Sequence, residues 1–530
     1  MSFLLYVLVI FPILVGIIAY FLPSRARAIT VMIGSALTFA LSVYCFLLAR
    51  EETLVAFLGG WSPPVGILLN GDTVACVFAM LTAFLFLNFT IYNTRKAYLG
   101  KTFFMLFLTL QGLLTGIFFA DDLFSIFVLV EVSTMVVSLL IMFKRDSRSM
   151  YDGMIYLLIN TFSMTLFLFG LALLYRQLGT FSLSYITQII GDVKNTKALY
   201  LPFALMMTSA CLKAAIMPLF SWLPKAHGTP SAPSVVSAVL SGLYVKGGIY
   251  LFFRLKQAFY VIDAHPFFLV CGIITAIVGF VFAISQHDIK MILSYSTVSQ
   301  LGLIMLAFNL PGALGTWSGL YHILNHALFK SLLFLCAGLI VEAYETRDIN
   351  KISGVFKRMP VVGAACVAAL LGITGAPLFN GFISKYLISS ASKVYHLEAL
   401  MIFINLGTVL TFVKFARIFK PNKSVTRIAV PINRQIVLIV LGLACLVGGV
   451  AAPFIMGLFF GQTVHISLTS YISKSLLFGA TLLVAFLIYR SGVTQTKAFS
   501  AIRALDLGFN EIALTIPAFF VVLLSYLVFL

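Results

Sequence analysis

The sequence predicts an all-α polytopic membrane protein of about 14–16 transmembrane helices, and three observations carry that prediction. Of its 530 residues 61% are hydrophobic and only 10% charged, with a mean hydropathy of +1.08, well outside the range of soluble domains. Apolar runs of about 20 residues, enough to cross the hydrocarbon core as a helix, recur along the whole chain. The charges fall mostly in the short stretches between those runs.

Sixteen candidate spans lie near 3–22, 28–48, 72–92, 102–120, 123–143, 154–175, 199–223, 234–253, 266–285, 291–309, 314–341, 361–392, 399–419, 435–460, 475–489 and 512–530. The first is too long for a signal-peptide core and has no cleavage site, so it is expected to be kept as a span. The runs at 199–223, 314–341 and 361–392 are long or interrupted. Residues 181–197 read as a short interfacial stretch with a polar loop, and no soluble domain or low-complexity linker is expected. The seven cysteines (Cys45, Cys76, Cys211, Cys271, Cys336, Cys366 and Cys445) all fall in or beside apolar runs without a CxxC pair. They read as buried small hydrophobes, not as disulfides or metal ligands.

The net charge of +18 would suit nucleic acid, but its placement argues against that. If the loop carrying Arg25 and Arg27 is cytoplasmic and the sides alternate, 21 of the 35 lysines and arginines fall in cytoplasmic loops and eight outside. Arg95, Lys96, Lys225 and Lys290 are counted on the cytoplasmic side. This bias obeys the positive-inside rule. It predicts a multi-pass protein of the cell inner (cytoplasmic) membrane with both termini outside.

The remaining six lie within spans: Lys213, Lys246, Lys330, Lys385, Lys414 and Arg417. A lysine in hydrocarbon costs roughly 2.5–3.5 kcal/mol on insertion scales, so it is rare unless it faces a polar interior. Lys213 lies shortly before Pro218, and Pro218 and Pro224 are expected to break that helix around Trp222. The next run carries Lys246 among glycines. Snorkelling suits Lys225 and Arg254 at span ends, but neither Lys213 nor Lys246, so the pair points to an ion path. The stretch LGITGAPLFNGFISKYL repeats the device, with Gly375, Pro377 and Gly381 interrupting a span before Lys385. Break and lysine come in the opposite order, as an inverted repeat would have them, and paired discontinuous helices mark transport sites. Lys414 and Arg417 read as snorkelling side chains near the cytoplasmic end of their span, with Lys414 alternatively an exit residue.

Glu131, in DDLFSIFVLVEVSTMVV, is the acid at clear membrane depth, and Asp121 and Asp122 mark the outer edge of its span. A carboxylate there must pair, neutralise or touch water, and Lys213 is its natural partner. A static ion pair between helices is the alternative, although apolar packing fills that role more stably. In YHILNHALFKSLLF, His322, His326 and Lys330 share one helix face. Histidine titrates near neutral pH, so the array suits proton relay, with a structural role for one of the two left open. An H-x3-H metal site is the alternative, but no carboxylate, cysteine or HExxH glutamate lies nearby, and no metal is expected.

No G-x-x-x-x-G-K-[ST] loop and no flavin, haem or iron–sulfur motif is present, so no cofactor is expected. Energy then comes from an ion gradient or a redox partner. A stand-alone secondary transporter for a small solute would need a substrate-sized pocket, whereas this sequence offers a row of titratable groups. A subunit that conducts nothing is a further alternative.

The stretches PLFSWLPKAHGTPSAPSVVSAVLSGLYVKGGIYLFFR, QHDIKMILSYSTVSQLGLI, HILNHALFKSLLFL and GAPLFNGFISK together resemble the antiporter-like subunits shared by respiratory complex I, Mrp-type cation/proton antiporters and membrane-bound hydrogenases. The resemblance covers roughly residues 100–420. It implies fourteen core helices, with inverted repeats at 101–256 (spans 4–8) and 257–420 (spans 9–13). N-terminal helices at 1–100 and C-terminal helices at 421–530 flank them, and spans 7 and 12 are discontinuous. It also implies that Glu131, Lys213, Lys246, a histidine of the Tyr321–Lys330 segment and Lys385 form the family's central polar axis. M-type complex I subunits usually carry glutamate where Lys385 stands, so Lys385 points elsewhere, and a chain of this length without a large soluble extension favours a D-type Mrp antiporter or hydrogenase-type chain. Two further apolar runs after residue 470, and the segment ALDLGFNEI, depart from a plain fourteen-span D-type chain. The implied partners are other membrane subunits of a hetero-oligomeric antiporter or redox complex, membrane lipid, and protons with or without Na+, but no nucleic acid.

Overall fold

The computed structural model describes residues 3–61, 66–94, 100–228, 232–505 and 507–529; the loop cations Arg95 and Lys96 lie outside them. Among the described residues, 14 helices are long and apolar enough to cross a membrane. They are α1 (Phe3–Phe21), α2 (Ser24–Ala49), α3 (Thr73–Asn93), α4 (Lys101–Phe119), α5 (Leu123–Ile141) and α6 (Ser147–Leu178) in the first third. After α7 (Leu183–Ile189) and the broken span α8 (Tyr200–Lys213) with α9 (Trp222–Gly228) come α10 (Ser234–Ala258), α11 (His265–Ser285), α12 (Ile289–Phe308) and α13 (Gly312–Tyr344). A second broken span, α14 (Pro360–Thr374) with α15 (Asn380–Ala391), follows. Then come α16 (Glu398–Phe415), α17 (Ile432–Val450) with the short α18 (Ala452–Phe460), α19 (Leu468–Arg490), the short α20 (Lys497–Ala504) and α21 (Phe509–Phe529). Each of the sixteen apolar runs read from the sequence corresponds to one of these spans. The chain is a multi-pass membrane protein.

Contacts between loops agree with alternating sides. At one end Leu69 bridges Ala120 and Asp122 bridges Ser182, joining loops expected outside. Asp121 accepts from the hydroxyls of Ser182 and Ser184 at 2.7 and 2.6 Å; burial nonetheless pushes its carboxyl up from its ordinary value. At the other end Asp288 bridges Asp348, and Arg347 reaches Asp288 at 2.7 Å and the Gly228 carbonyl at 2.6 Å. One element was not expected: a hairpin of β1 (Leu54–Phe57) and β2 (Leu68–Gly71), antiparallel with Leu54 opposite Gly71. Four-residue strands leave too short an alternation to be read from sequence.

The two broken spans differ from ordinary helices in where their freed backbone groups go, since at membrane depth each must find a partner. Beyond Lys213, Ala215 takes a positive φ of 53°. The Met217 N–H donates to Thr275 Oγ1 at 2.9 Å, and the Leu212 carbonyl, which accepts from the Ala215 N–H at 2.9 Å, also accepts from the Trp222 indole at 2.8 Å. In the second break Gly375 and Leu378 have φ of 78° and 72°. There the Leu378 N–H donates to Tyr471 Oη at 3.0 Å, and Lys385 holds the Ile373 carbonyl. Pro218 and Pro377 lie in the breaks as expected. Pro224 does not: it sits inside the first turn of α9, where its missing N–H would have had no helical partner anyway.

Close helix packing fixes the frame around the breaks. A Cβ on Gly279 of α11 would lie 2.3 Å from Ser299 N of α12, and one on Gly302 would lie 2.3 Å from Ala276 N. Small residues let these two backbones touch, the usual basis of helix association in lipid. Two loop cations are not free surface charges. Lys290, counted in a cytoplasmic loop, is buried and donates to the Ala232 carbonyl at 3.1 Å. Arg254, near the end of its span, pairs with Asp72 at 2.5 Å and donates to Tyr250 Oη at 2.8 Å.

Candidate functional site

The titratable residues singled out in the sequence lie on α5, α8, α10, α13 and α15, and the structure brings them into one series, half-buried at Glu131 and Lys385 and buried between. At its start, Lys213 is the last residue of α8, just before the break. Its ammonium donates to Thr134 Oγ1 at 2.7 Å; Thr134 also meets Tyr244 Oη at 3.1 Å and donates to the Val130 carbonyl at 2.8 Å. Glu131 lies about one turn before Thr134 on α5. Its Oε1 is buried with no hydrogen-bond partner among the described residues, and Lys213 is the cation whose charge acts on it. The expected direct ion pair is therefore replaced by an indirect arrangement. Thr134, one turn along α5 and fully buried, takes the ammonium instead.

Tyr244 ends a π-helical turn, Leu240–Tyr244, within α10. Such a turn frees a carbonyl from the i→i+4 pattern, and Lys246 donates to the one at Ser241. Ser241 Oγ meets Thr297 Oγ1 at 2.7 Å. Lys246 is fully buried, and the charge of Lys330 acts on it. Lys330 itself donates to the Leu293 carbonyl at 2.8 Å and to Ser296 Oγ at 2.5 Å.

The α13 array then leads onward. His326 has both ring nitrogens buried without a partner among the described residues, and Lys246, Lys330 and His322 all act on it. Its ring centroid is 6.4 Å from that of His322. His322 Nε2 lies 3.1 Å from Gln300 Oε1 and its Nδ1 2.9 Å from Ser384 Oγ. Because the amide oxygen only accepts, Nε2 carries hydrogen, and in the neutral ring Nδ1 accepts from the serine hydroxyl. Ser384 adjoins Lys385, whose ammonium donates to the Ile373 carbonyl at 2.7 Å and Asn405 Oδ1 at 2.8 Å. Lys385 also lines a cavity with Asn405, Thr408, Tyr386 and Lys474.

Sequence reasoning missed the neutral members of this series. Thr134, three residues after Glu131, and Ser384, beside Lys385, carried a spacing signal. Gln300, Asn405 and Tyr244 reach the site through tertiary packing and carried none. His227 was also missed; it is fully buried on α9, stacked on Phe334 with centroids 5.2 Å apart, and lies within reach of the charges of Lys330, Lys246 and Lys290. Lys414 stands apart from the series. It is buried, not snorkelling, and donates to the Ile284 and Gln286 carbonyls at 2.6 and 2.5 Å, satisfying the C-terminal end of α11. Arg417 is exposed, as expected of a snorkelling side chain.

Chemically, the arrangement offers ammonium, imidazole and carboxyl groups that can each hold a proton. Among the described residues no cluster of three or more metal-ligating side chains is present.

A family profile described as NADH:quinone oxidoreductase/Mrp antiporter, transmembrane, matches residues 120–411. The chain is 29% identical over 369 residues to the D component of the Na+/H+ antiporter of Alkalihalophilus pseudofirmus, covering 67% of this chain and 74% of that one. Its fold resembles a chain of the membrane-bound sulfane sulfur reductase, an archaeal respiratory membrane complex, with a TM-score of 0.79 at 23% identity over 90% of this chain and 99% of that one. It also resembles a chain of the Mrp complex from Dietzia sp. DQ12-45-1b, with a TM-score of 0.78 at 22% identity over 92% and 100%.

Proposed function

The chain belongs to the NADH:quinone oxidoreductase/Mrp antiporter transmembrane family, and from that premise we propose that it is the proton-translocating, antiporter-like membrane component of a multisubunit complex, a D-type chain of an Mrp-type Na+/H+ antiporter. The observation that carries this reading is the series that runs from half-buried Glu131 through the buried Lys213, Lys246, Lys330, His326 and His322 to half-buried Lys385. Charged side chains at membrane depth are costly and rare, and a row of them facing one another marks an ion pathway. Buried imidazoles are normally hydrogen-bonded, so the unpaired ring of His326 fits a group that exchanges partners. Protons pass between Lys213 and Lys385 along this row, and Glu131, acting through the Thr134 region, tunes how tightly Lys213 holds its proton.

In the same reading, residues 101–256 and 257–420 are inverted repeats flanked by the helices of 1–100 and 421–530. What supports the division is that Lys213 precedes its break while Lys385 follows its own. The charge bias of the loops supports a cell inner membrane location with both termini outside. Other membrane subunits of the complex are the implied partners, as for the D-type relative. One observation favours a second reading, a proton-pumping member of a complex I-like or hydrogenase-type redox complex: the two spans beyond residue 467, α19 and α21, exceed a plain fourteen-span D-type chain. Antiport by vesicles that contain the complex but no electron donor separates the two.

The central test is Glu131→Gln in the complete complex. The variant is expected to assemble at normal abundance and to lose most proton and cation transport, with Glu131→Asp retaining part of it. Normal transport by a fully assembled Gln variant would falsify the tuning role of this carboxylate.

A further inference from the structure

The face of α10 that carries Lys246 continues through Tyr250, one helical turn on, to Arg254. Tyr250 is buried against Phe78 of α3 and Phe118 of α4, which are buried too. The three rings form a near-equilateral triangle, with centroids 5.3 Å apart for Phe78–Tyr250, 5.1 Å for Phe118–Tyr250 and 5.2 Å for Phe78–Phe118. Between Lys246 and Tyr250 the helix packs at Gly247 on buried Leu114 and Ile117 of α4, which a Cβ there would meet at 3.9 and 4.0 Å. On the side expected outside, a cavity of about 420 Å³ ends on Phe118 and Tyr250. Its other walls are polar, with Asn70, Asp121, Ser184 and Arg254 among them. On the inner side stands Lys246, whose ammonium turns back to the Ser241 carbonyl.

The tyrosine ring is held from both ends of its hydroxyl. Tyr250 Oη donates to the Phe118 carbonyl at 2.9 Å and accepts from Arg254 Nε at 2.8 Å. Arg254 in turn bonds Asp72 at 2.5 Å, and Asp72 caps α3 by accepting from the Ala75 N–H at 2.8 Å. Helices α3, α4 and α10 are thus tied at one point, which sets the ring between the two phenylalanines. Ordinary core packing would explain three touching rings, but not their place between a polar cavity and a buried lysine on one helix face. If water joined Lys246 to that cavity, a proton on the row would run back outside. A constriction of apolar side chains prevents this by dewetting. We propose that Tyr250, Phe78 and Phe118 form a seal that isolates Lys246 from the outer cavity, with Arg254 positioning Tyr250. This role rests on Lys246 being a station of the proton row.

The test reads passive proton leak. Vesicles containing the complete complex, free of Na+ and K+ and with thiocyanate as permeant counter-anion, receive an external acid pulse, and an internal dye reports pH. The wild type is expected to leak no faster than protein-free vesicles. Phe118→Ala should leak at least about tenfold faster, a loss of about 1.4 kcal/mol of barrier, whereas Phe118→Leu, which keeps an apolar bulk, stays tight. Arg254→Gln, which releases Tyr250, should leak as well, though less. Phe86→Ala makes the same deletion elsewhere on α3, at a fully buried ring 4.6 Å from that of Phe107, and should stay tight. Adding Lys246→Ala to Phe118→Ala should abolish the leak. If Phe118→Ala does not assemble, Phe78→Val, a smaller deletion in the same triangle, carries the same expectation. A tight, assembled complex with the seal deleted overturns the proposal, and so does an equal leak in Phe86→Ala or a leak that survives Lys246→Ala. A tight Arg254→Gln complex removes the positioning role. Antiport by the Lys246→Ala complex tells the two readings apart: normal antiport removes Lys246 from the row itself, whereas lost antiport beside a tight Phe118→Ala complex removes the seal alone.

Discussion

Replacing Lys385 with arginine separates a proton carrier from a fixed positive charge. The ammonium makes two hydrogen bonds, to the Ile373 carbonyl at 2.7 Å and to Asn405 Oδ1 at 2.8 Å. Guanidinium has donors enough for both acceptors, and the adjoining cavity lined by Tyr386 and Thr408 takes its extra bulk. Charge and contacts are therefore kept, and the complex should assemble. Proton release is not kept. The ordinary pKa of arginine exceeds that of lysine by about 2–3.4 units, which is about 3–5 kcal/mol in equal surroundings. The population able to release a proton falls by two to three orders of magnitude, so proton and cation transport by vesicles containing the complete complex should drop at least about 100-fold. Lys385→Ala should be equally inactive, whereas Lys385→Glu restores a titratable group and should retain partial transport. Transport by the Arg variant within about threefold of wild type would make Lys385 a static counter-charge and remove the last station of the row.

Other positions make separate tests. Thr134→Val removes the acceptor of the Lys213 ammonium at nearly constant volume; a hydrogen bond to a charged group is worth about 1.5–3 kcal/mol, so transport should fall about 10- to 100-fold while Thr134→Ser stays near wild type. Gly279→Ala drives a Cβ against the backbone nitrogen of Ser299, 2.3 Å away, and should destabilise the complex by about 1–3 kcal/mol in thermal unfolding, whereas Gly457→Ala, with nothing within 4 Å, should not. In a cysteine-free background, Lys351→Cys and Thr463→Cys should label from opposite membrane faces; labelling from the same face would overturn the span count. Lys351 is the better probe because the neighbouring Ser353 hydroxyl is engaged by Asn422 at 3.0 Å.

Class, spans and the charged residues of the row were all legible in the order of the amino acids. Hydrocarbon penalises every polar group, so each lysine or glutamate at membrane depth stands out against its own neighbours without knowledge of the fold. Breaks were equally legible, since Pro218, Gly375 and Pro377 act on the backbone within their own few residues. Pro224 was misread because a proline's effect depends on where the helix restarts, which Trp222 and the Leu212 carbonyl decide together. Which group touches which was left to packing. Thr134, Tyr244, Gln300, Ser384 and Asn405 are uncharged, cost little in a helix and leave no local trace, yet they hold Lys213, His322 and Lys385 in place. Direct pairing of Glu131 with Lys213 was the natural inference from charge alone. It gave way to Thr134 because hydrogen bonding is decided over a few tenths of an ångström by the rotation and depth of packed helices, which hydropathy and spacing along one chain do not encode.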